Sequence, residues 1–464
     1  MTLIKSISGI RGTIGGSVGE NLTPIDIVKF VSAFAILLKR KFKQKTVEVV
    51  IGRDSRVTGR VISDMVSAVL VNSGINVVDI GLATTPTVEI AVIDRKAQGG
   101  IIISASHNPE NWNALKLLNE FGEFLSPEDG KELIKISEEE NFIFADSNNW
   151  GKIFKNENYL EKHIKKIIDL SLVDVKAIKE VGFKVAIDGI NSVGGLAIPK
   201  LLKALGVEKT EEINCKPTGI FIHNPEPLPE NLFGLSFLVK EKKCDLGFAF
   251  DPDVDRLAII DENGEMFGEE YTLVAVADYV LSNKSGNAVS NLSSTRALRD
   301  VVKEKGGKYF ASAVGEVHVV EKMKAVNAVV GGEGNGGVIL PELHYGRDAL
   351  VGIALFLSFL ARTNFKASEL KKKYPNYHIS KNKIELSPEI DVDFILREIA
   401  EKYKNKNCEL NLIDGVKIDF KREWLHLRKS NTEPIIRIYA ESDTKEKADK
   451  LAENIINEIK LLNK

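Results

Sequence analysis

A short polar loop follows an apolar strand near residue 100 and places a serine where chemistry can occur. Gly100–Ile103 is typical of the end of a buried strand, and Ser104–Pro109 is small, polar and rich in turn-forming residues. Open α/β sheets bind ligands in loops beyond the carboxyl ends of their strands. We therefore interpret Ser106 as a candidate nucleophile or phosphoryl carrier, and Lys116, ten residues later, as able to return to the same site. The alternative is an ordinary turn capped by a serine.

Three aspartates alternate within residues 246–264. On an extended backbone the carboxylates of Asp251, Asp253 and Asp255 can converge on one cation, and oxygen ligands of this kind suit Mg²⁺ or Ca²⁺. Without a cation, three carboxylates so close together would repel one another. An EF-hand loop is a poor alternative, because its sixth position requires a glycine and here holds Arg256. A solvated acidic turn is the other alternative, and the pattern favours a divalent-metal loop.

A glycine-rich segment, VVGGEGNGGVIL at residues 329–340, is the third candidate. Its glycines, Gly332 among them, allow the backbone to approach a ligand closely. Glu333 and Asn335 can form hydrogen bonds with the hydroxyl groups of a ligand. The alternative is a glycine-rich turn that serves the fold alone.

An arginine-containing turn, LRKSNTEPIIRIYAES at residues 427–442, is the fourth candidate. Arginine side chains, together with hydroxyl and backbone N–H donors, match the geometry of a phosphate dianion. A surface turn between two strands is the alternative. The residues that we assign to this phosphate site are Arg428, Ser430, Asn431, Thr432 and Arg437.

The elements that must position these candidates alternate between short apolar strands and amphipathic helices through most of the chain. Strand–helix units begin near Val47, Phe183 and Asn287, and their irregular spacing excludes a solenoid repeat. This alternation predicts an α/β protein with three similar α/β domains, each with a mixed, mostly parallel sheet.

The C-terminal part lacks this alternation. Its strand-like runs are grouped between two helical patterns and predict a smaller α+β domain. The polar stretch at residues 371–380, which contains Pro375, is the predicted linker. The predicted domains span residues 1–153, 154–256, 257–372 and 373–464, and they contain the four candidate sites in chain order.

Composition and charge exclude several classes of protein. The 464 residues include 63 Lys+Arg and 65 Asp+Glu, and a net charge of −2 offers no basic field for nucleic acid. The longest strongly apolar run, Ala349–Ala361, has 13 residues, against about 20 needed to cross a bilayer. The N-terminus has no apolar signal segment, and Cys215, Cys244 and Cys408 are too scattered for a disulfide framework. We therefore expect a cytoplasmic protein without nucleic-acid or membrane partners.

The four candidate segments, taken together and in this order, resemble the α-D-phosphohexomutase superfamily along essentially the whole chain. ISASHNP is similar to its phosphoserine loop, DPDVDR to its magnesium loop, GGEGNGG to its sugar-binding loop and RKSNTEP to its distal phosphate site. SGIRGTIGG near the start and GRDSR at residues 52–56 are supporting matches. The resemblance implies four domains around a central cleft, three of them alike and α/β.

The resemblance also implies roles for single residues. Ser106 would be the phosphoryl carrier and, with the three aspartates, a ligand of Mg²⁺. Arg11 and Arg256 would lie at the reaction site. Lys116 is our preferred group for proton transfer, and His107 is its weaker rival. Small sugar phosphates would be the substrates and a hexose 1,6-bisphosphate the activator.

This sequence departs from the family pattern at several positions. Pro252 stands in the metal loop where a glycine is usual, and Glu316 stands where relatives often carry histidine or aspartate. Asn335 and Gly337 replace the usual serine and histidine of the sugar loop. These changes bear on the choice of substrate more than on the type of reaction.

The resemblance implies a phosphohexomutase that interconverts hexose 1-phosphate and 6-phosphate through a phosphoserine and a bisphosphosugar. ISASHNP favours glucosamine phosphate, whereas RKSNTEP leans toward glucose or mannose phosphate, so a phosphoglucomutase/phosphomannomutase is the alternative. A Mg²⁺-dependent sugar phosphatase and a non-catalytic sugar-phosphate binder stay open. The presence of Ser106, Lys116 and the three aspartates argues against the binder.

Overall fold

Four β-sheets follow one another along the chain, and helices pack against each of them. The computed structural model describes residues 2–6, 9–43, 46–156, 158–385, 391–429 and 435–462. Within these residues, sheets I to III are mixed and sheet IV is wholly antiparallel. The predicted fold class, three similar α/β units followed by an α+β unit, is confirmed.

Sheet I brings the loops after two parallel strands together. Its strands are β1 (Ile4–Ser6), β2 (Gly9–Thr13), β3 (Val47–Arg53), β4 (Ile75–Leu82), β5 (Gly99–Ile103), β6 (Trp112–Leu118) and β7 (Ile153–Lys155). Its helices are α1 (Pro24–Lys41), α2 (Gly59–Asn72), α3 (Thr85–Arg95) and α4 (Pro127–Glu139), and a 3₁₀ turn spans Ser147–Asn149. The strand order is β1-β2-β6-β5-β3-β4-β7, with β3 parallel to β4 and β5. The loops that contain Asp54 and Ser106 therefore leave the same sheet edge side by side.

Sheet II carries the three aspartates in the connection between two of its strands. Its elements are α5 (Tyr159–Ile168), α6 (Val175–Val181), β8 (Lys184–Asp188), α7 (Gly194–Ala204), β9 (Lys209–Ile213), a 3₁₀ turn (Pro229–Asn231), α8 (Phe233–Lys242), β10 (Leu246–Phe250) and β11 (Leu257–Asp261). The order is β11-β10-β8-β9, and β10 pairs antiparallel with β11. Residues 251–256 thus form a short turn at the carboxyl end of β10.

Sheet III repeats this design with the glycine-rich segment in the turn. Its elements are α9 (Glu269–Asn283), β12 (Asn287–Asn291), α10 (Ala297–Glu304), β13 (Tyr309–Ser312), α11 (Glu316–Ala325), β14 (Ala328–Glu333), β15 (Gly337–Ile339), α12 (Ala349–Thr363) and α13 (Ala367–Lys371). The order is β13-β12-β14-β15, and only the pair β14–β15 is antiparallel. Residues 334–336 connect that pair.

Sheet IV has five antiparallel strands. Its elements are β16 (His378–Glu385), α14 (Val392–Tyr403), β17 (Glu409–Asn411), β18 (Val416–Asp419), β19 (Trp424–Lys429), β20 (Ile435–Ser442) and α15 (Lys445–Leu462). The order is β16-β20-β19-β18-β17. The stretch at 371–380, predicted as a linker, therefore ends inside a strand that pairs with β20.

Helix α12 accounts for the longest apolar run. Residues 349–360 are all buried, and α12 packs against α9, α6 and α5, so that one core joins sheets II and III. The carboxylate of Asp348 caps the helix by accepting the N–H groups of Leu350 at 2.8 Å and Val351 at 3.3 Å. None of the described helices is long and apolar enough to cross a membrane.

A wholly buried polar network joins α3, α5 and the segment before α12. Asp348 Oδ2 lies 2.9 Å from His163 Nε2 and 3.3 Å from His344 Nε2. The far side of each imidazole meets α3, with Glu89 Oε2 3.2 Å from His344 Nδ1 and Thr87 Oγ1 3.0 Å from His163 Nδ1. Burial disfavours a charge on His344, but Asp348 and Glu89 outweigh it and raise its pKa to about 10. This network locks the start of α3 against the segment that precedes α12.

Candidate functional site

Residues from all four sheets and the segments that follow their strands line a cavity of about 560 Å³. Predicted residues from all four candidate segments line this cavity. The three aspartates do not line it and lie buried beside it. Ser430, Asn431 and Thr432 lie outside the described residues. The predicted residues that line the cavity are Arg11, Ser106, His107, Lys116, Arg256, Glu333, Asn335, Arg428 and Arg437.

The Ser106 hydroxyl sits directly on the aspartate loop. Its Oγ donates a hydrogen bond to Asp251 Oδ2 at 2.5 Å and lies 3.3 Å from His107 Nδ1. The Ser106 N–H donates to Ser104 Oγ at 3.0 Å, and the backbone adopts a left-handed φ of 51°. The Ser106 side chain is therefore held in a turn that points it between the aspartate loop (residues 251–256) and the cavity.

A buried ion pair from the neighbouring loop fixes this turn. Arg56 donates to the carbonyl oxygen of Ser106 at 2.8 Å and also to that of Asn108. Its guanidinium is paired with the carboxylate of Asp54, which accepts the Ser104 hydroxyl at 2.7 Å. Arg56 is 1% exposed, so water does not compete for these bonds.

The three aspartates converge, but through a turn in which Val254 has a φ of 61°, and not on the extended backbone that their spacing suggested. All are 0% exposed, and one carboxylate oxygen of each lies within 4.8 Å of the others. Asp253 Oδ1 and Asp255 Oδ1 are buried without a hydrogen-bond partner among the described residues. Burial and the charges of its two neighbours raise the pKa of Asp251 well above its usual value. Buried carboxylate oxygens without donors fit a hard divalent cation.

Lys116 crosses from β6 to the aspartate loop. Its Nζ lies 2.5 Å from Asp253 Oδ2, 3.4 Å from Asp255 Oδ2 and 3.4 Å from Thr85 Oγ1. Burial works against the ammonium, but Asp253 and Asp255 outweigh it and raise the pKa of Lys116 above its usual value. Lys116 is therefore a charged hydrogen-bond donor in this arrangement.

Arg347 links the metal loop to the glycine-rich turn. Its Nη2 lies 2.7 Å from Asp255 Oδ2, and its Nη1 lies 2.7 Å from Glu333 Oε2. Its Nε is 2.9 Å from Glu316 Oε2, so one guanidinium is shared by three buried carboxylates. Burial opposes the ionisation of Asp255, but Arg347 and Lys116 keep its pKa below the usual range.

Further positive charges line the same part of the cavity. Burial and the charges of Arg256 and Arg347 lower the pKa of Arg11. The pKa of His107 falls well below its usual value, first through burial and then through Arg256. His107 is thus a neutral imidazole within a positive field that suits an anionic ligand.

The glycine-rich turn presents Glu333 and Asn335 to the cavity. Glu333 Oε1 accepts hydrogen bonds from Asn291 Nδ2 at 2.8 Å and from the Gly315 N–H at 3.2 Å. Gly332 does not line the cavity. Its φ is +153°, and a Cβ there would lie 2.0 Å from the Gly337 carbonyl oxygen, so this position requires glycine for the turn itself.

Arg428 and Arg437 face each other across two strands of sheet IV. They are directly opposed in the register of β19 and β20. Like charges in such a cross-strand pair repel each other and destabilise a sheet. Both side chains line the cavity, and Arg428 Nε lies 3.4 Å from Asp414 Oδ2. The arrangement fits an anion that bridges the two guanidinium groups.

Comparison with known proteins accounts for nearly the whole chain. Family models of the three phosphoglucomutase/phosphomannomutase α/β/α domains match residues 3–144, 158–264 and 268–377, and the C-terminal domain model matches residues 384–458. The chain belongs to the phosphoglucomutase/phosphomannomutase family. Members of this family are phosphohexomutases and depend on a metal ion, so the resemblance found in the sequence and the enzyme class are confirmed.

Two relatives of this phosphohexomutase have different substrates in their names. A phosphoglucomutase/phosphomannomutase of Thermococcus kodakarensis is 37% identical over 94% of this chain and 95% of the relative. A phosphoglucosamine/phosphogalactosamine mutase of Sulfurisphaera tokodaii is 34% identical over 97% of both chains. Sequence similarity thus supports the family but does not distinguish glucose or mannose phosphate from amino-sugar phosphate as the substrate class.

Solved structures agree on the fold. A phosphoglucomutase/phosphomannomutase family protein of Burkholderia thailandensis has a TM-score of 0.84 at 24% identity and covers 99% of this chain and 98% of its own. The N-acetylphosphoglucosamine mutase of Aspergillus fumigatus, solved with GlcNAc-6P and magnesium, has a TM-score of 0.61 at 14% identity, over 100% of this chain and 96% of its own.

Two arginines of this phosphohexomutase were not assigned to the site from the sequence. Arg347 and Arg56 act on loops that are far away in the chain, so no local pattern reveals them. One signal was available for Arg56, because it ends the segment GRDSR at residues 52–56, which is a supporting match to the family.

Proposed function

We propose that this protein interconverts hexose 1-phosphates and 6-phosphates through a phosphorylated Ser106, with glucosamine phosphate as the preferred substrate. The observation that carries the proposal is the hydrogen bond from Ser106 Oγ to Asp251, at the junction of the aspartate loop and the cavity. Phosphoryl transfer requires mainly positioning and charge stabilisation, and both are available there.

The reaction has two mirrored halves. In the first, the O6 hydroxyl of a hexose 1-phosphate attacks the phosphorus on Ser106, an O6–P bond forms and the Oγ–P bond breaks. The hydroxyl proton passes through a neighbouring group to the Ser106 oxygen. The bisphosphate then reorients in the cavity. In the second half, the Ser106 oxygen attacks the C1 phosphoryl group, the Oγ–P bond forms again and the O1–P bond breaks, which releases the 6-phosphate.

We assign the proton transfer to Lys116. Its raised pKa keeps Lys116 protonated, so it would act only as the proton donor to the leaving Ser106 oxygen; the lowered pKa that a general base would need is not found for it. His107 is the alternative in the accepting direction, because it is neutral and its Nδ1 lies 3.3 Å from Ser106 Oγ. Arg11 and Arg256 contribute positive charge beside the reacting phosphate.

We assign the metal to Mg²⁺, held by Asp251, Asp253, Asp255 and Ser106. When bound, Mg²⁺ neutralises charge on the transferring phosphoryl group. The two aspartate oxygens without hydrogen-bond donors support this assignment. The N-acetylphosphoglucosamine mutase of Aspergillus fumigatus was solved in complex with magnesium, which is the same choice of metal.

The remaining assignments concern the part of the substrate that does not react. Glu333 and Asn335 would bind sugar hydroxyls, with Gly332 shaping their turn. The distal phosphate would lie on Arg428 and Arg437, together with Ser430, Asn431 and Thr432 of the loop between their strands. A hexose 1,6-bisphosphate would prime Ser106 in the first turnover.

The test is an assay of the purified protein with Mg²⁺, a trace of glucose 1,6-bisphosphate and the 1-phosphates of glucosamine, glucose and mannose in turn. Phosphorus NMR separates the three outcomes. A mutase yields the 6-phosphate, a phosphatase yields inorganic phosphate, and a binding protein yields neither. Faster turnover of glucose or mannose phosphate than of glucosamine phosphate would favour the alternative substrate class.

A further inference from the structure

In the part of the chain that the structure describes, five carboxylates line the cavity, and one of them differs from the others in its partners. Four have a cationic partner within 4.0 Å: Glu226 has Arg256, Glu269 has Lys381, and Glu316 and Glu333 share Arg347. The fifth is Glu270, at the start of α9. Among the described residues, no ion pair joins Glu270 to a lysine, arginine or histidine, and its one hydrogen bond comes from the Thr295 N–H to Oε2 at 2.9 Å.

Glu270 lies against the glycine-rich turn that faces the ligand. A Cβ added at Gly334 would lie 1.9 Å from Glu270 Oε2, so the absent side chain at Gly334 is what admits this carboxylate. Gly334 stands between Glu333 and Asn335, the two residues that we assign to the sugar. The carboxylate therefore lies beside the turn that we assign to the sugar.

Glu270 is partly buried, and a partly buried carboxylate without a paired cation has a cost in free energy that a cationic ligand can offset. Burial raises the pKa of Glu270 to about 8. The positive charge of Lys381 acts on it, but that ammonium is already bound to Glu269 at 2.5 Å. A positive group on the ligand would meet no competing cation at Glu270 Oε1.

We infer that Glu270 recognises the ammonium group of a 2-amino-sugar phosphate and so sets the preference of this cavity for amino sugars over neutral sugars. This inference rests on the proposed function. The amino group is the only part of such a substrate that is positive, since the hydroxyl groups are neutral and the phosphates are negative. A neutral hexose phosphate offers a hydroxyl at the same place, which binds a carboxylate more weakly than an ammonium does.

The experiment compares wild type with Glu270→Gln on two substrates that differ at this one group, glucosamine 1-phosphate and glucose 1-phosphate. Glutamine keeps an acceptor for the Thr295 N–H but removes the charge. We expect kcat/KM to fall about ten- to a hundredfold for glucosamine 1-phosphate and less than about threefold for glucose 1-phosphate. The control is Glu265→Gln, an exposed carboxylate before α9, which should leave the ratio of the two kcat/KM values unchanged.

Several outcomes would overturn the inference. Equal losses on both substrates would mean that Glu270 binds a hydroxyl or supports the fold, and no loss would mean that it does not meet the substrate. An equal shift in Glu265→Gln would indicate a long-range field. Should Glu270→Gln not fold, a wild type that prefers glucose 1-phosphate already contradicts the inference. Wild type that converts no hexose phosphate would instead contradict the proposed function.

Discussion

At the scale of single residues, the Ser106 hydroxyl is the group whose loss should change activity most. Ser106→Ala removes the atom that we propose as the phosphoryl carrier, so we expect mutase activity to fall by at least about a thousandfold. The thermal midpoint should change little, because the hydroxyl packs against no apolar core. Intact mass measured after incubation with glucose 1,6-bisphosphate should show a phosphorylated wild type and an unmodified variant. Full activity in the variant would remove the carrier role.

The sequence reveals residues that act within their own segment. Ser106 stands in one short motif and the three aspartates in another, and these motifs, through their resemblance to a known family, suggested the roles that we propose for them. Arg347 could not be found in this way, since its partners Asp255 and Glu333 are brought to it by the packing of two sheets. The role of Glu270 could not be predicted from the sequence either, because it depends on which carboxylates of the folded protein are paired with a cation.

At the scale of elements, the start of α3 supports the metal loop. The Thr85 N–H donates to the Asp253 carbonyl oxygen at 2.9 Å, and Thr85 Oγ1 donates to Asp253 Oδ2 at 2.5 Å. Loss of a partner that orients a metal ligand typically costs ten- to a hundredfold in affinity. We expect Thr85→Val to raise the Mg²⁺ concentration for half-maximal activity by about that factor.

The control for this prediction is Thr87→Val, two residues further along α3. Its hydroxyl contacts His163 and Thr84, not the metal loop. Thr87→Val should therefore leave the Mg²⁺ dependence unchanged even where it lowers the thermal midpoint. Equal Mg²⁺ dependence in wild type and Thr85→Val would show that α3 does not orient the ligand.

The paired strands β19 and β20 make a second prediction at this scale. A bisphosphate intermediate that reorients in the cavity must be held by its non-reacting phosphate in both orientations. Charged hydrogen bonds to phosphate are each worth roughly 1.5–3 kcal/mol, so Arg428→Ala should weaken binding of the 1-phosphate and the 6-phosphate alike, by about ten- to a hundredfold. Released bisphosphate should also increase. Steady-state rates in both directions measure the effect.

Arg397→Ala is the matched control, since Arg397 is an exposed arginine of α14 whose nearest carboxylate, in Asp391, is 3.7 Å away. It should behave as wild type. A loss confined to one direction in Arg428→Ala would mean that the arginine pair does not hold both orientations.

Elements were predicted well where pattern and turn agree, and less well where pairing partners are distant. The strands β3, β5 and β10 coincide with apolar runs of the sequence, and each run is followed by a polar loop. The segment 371–380 looked like a linker because it is polar and contains Pro375, yet β16 begins at His378. Its strand character comes from pairing with β20, about sixty residues later in the chain, which no local pattern contains.

At the scale of the whole molecule, the buried network around His344 should govern stability against pH. Folding raises the pKa of His344 from an ordinary 6.5 to about 10, so its contribution is complete below pH 6.5 and is lost as the pH rises toward 10. We therefore expect the thermal midpoint of wild type to fall steadily between pH 7 and pH 10.

His344→Gln should flatten this dependence while lowering stability, since it leaves buried carboxylates without their cation. Breaking a buried pair in this way costs about 3–5 kcal/mol. His318→Gln provides the comparison, because His318 is partly exposed and its partner Glu321 is on the surface. Its midpoint should stay close to that of wild type. A wild-type midpoint that does not fall with rising pH would contradict the charged state assigned to His344.

The left-handed backbone of Ser106 has an evolutionary consequence. This conformation costs a residue with a side chain about 1–2 kcal/mol, whereas glycine adopts it freely. Ser106→Gly should therefore melt at or above the temperature of Ser106→Ala, although both are inactive. Calorimetry of the two variants measures this, and a more stable alanine variant would contradict it. Selection for stability of the backbone alone would move this position away from serine, so the phosphoryl transfer that we propose would explain why serine is kept there.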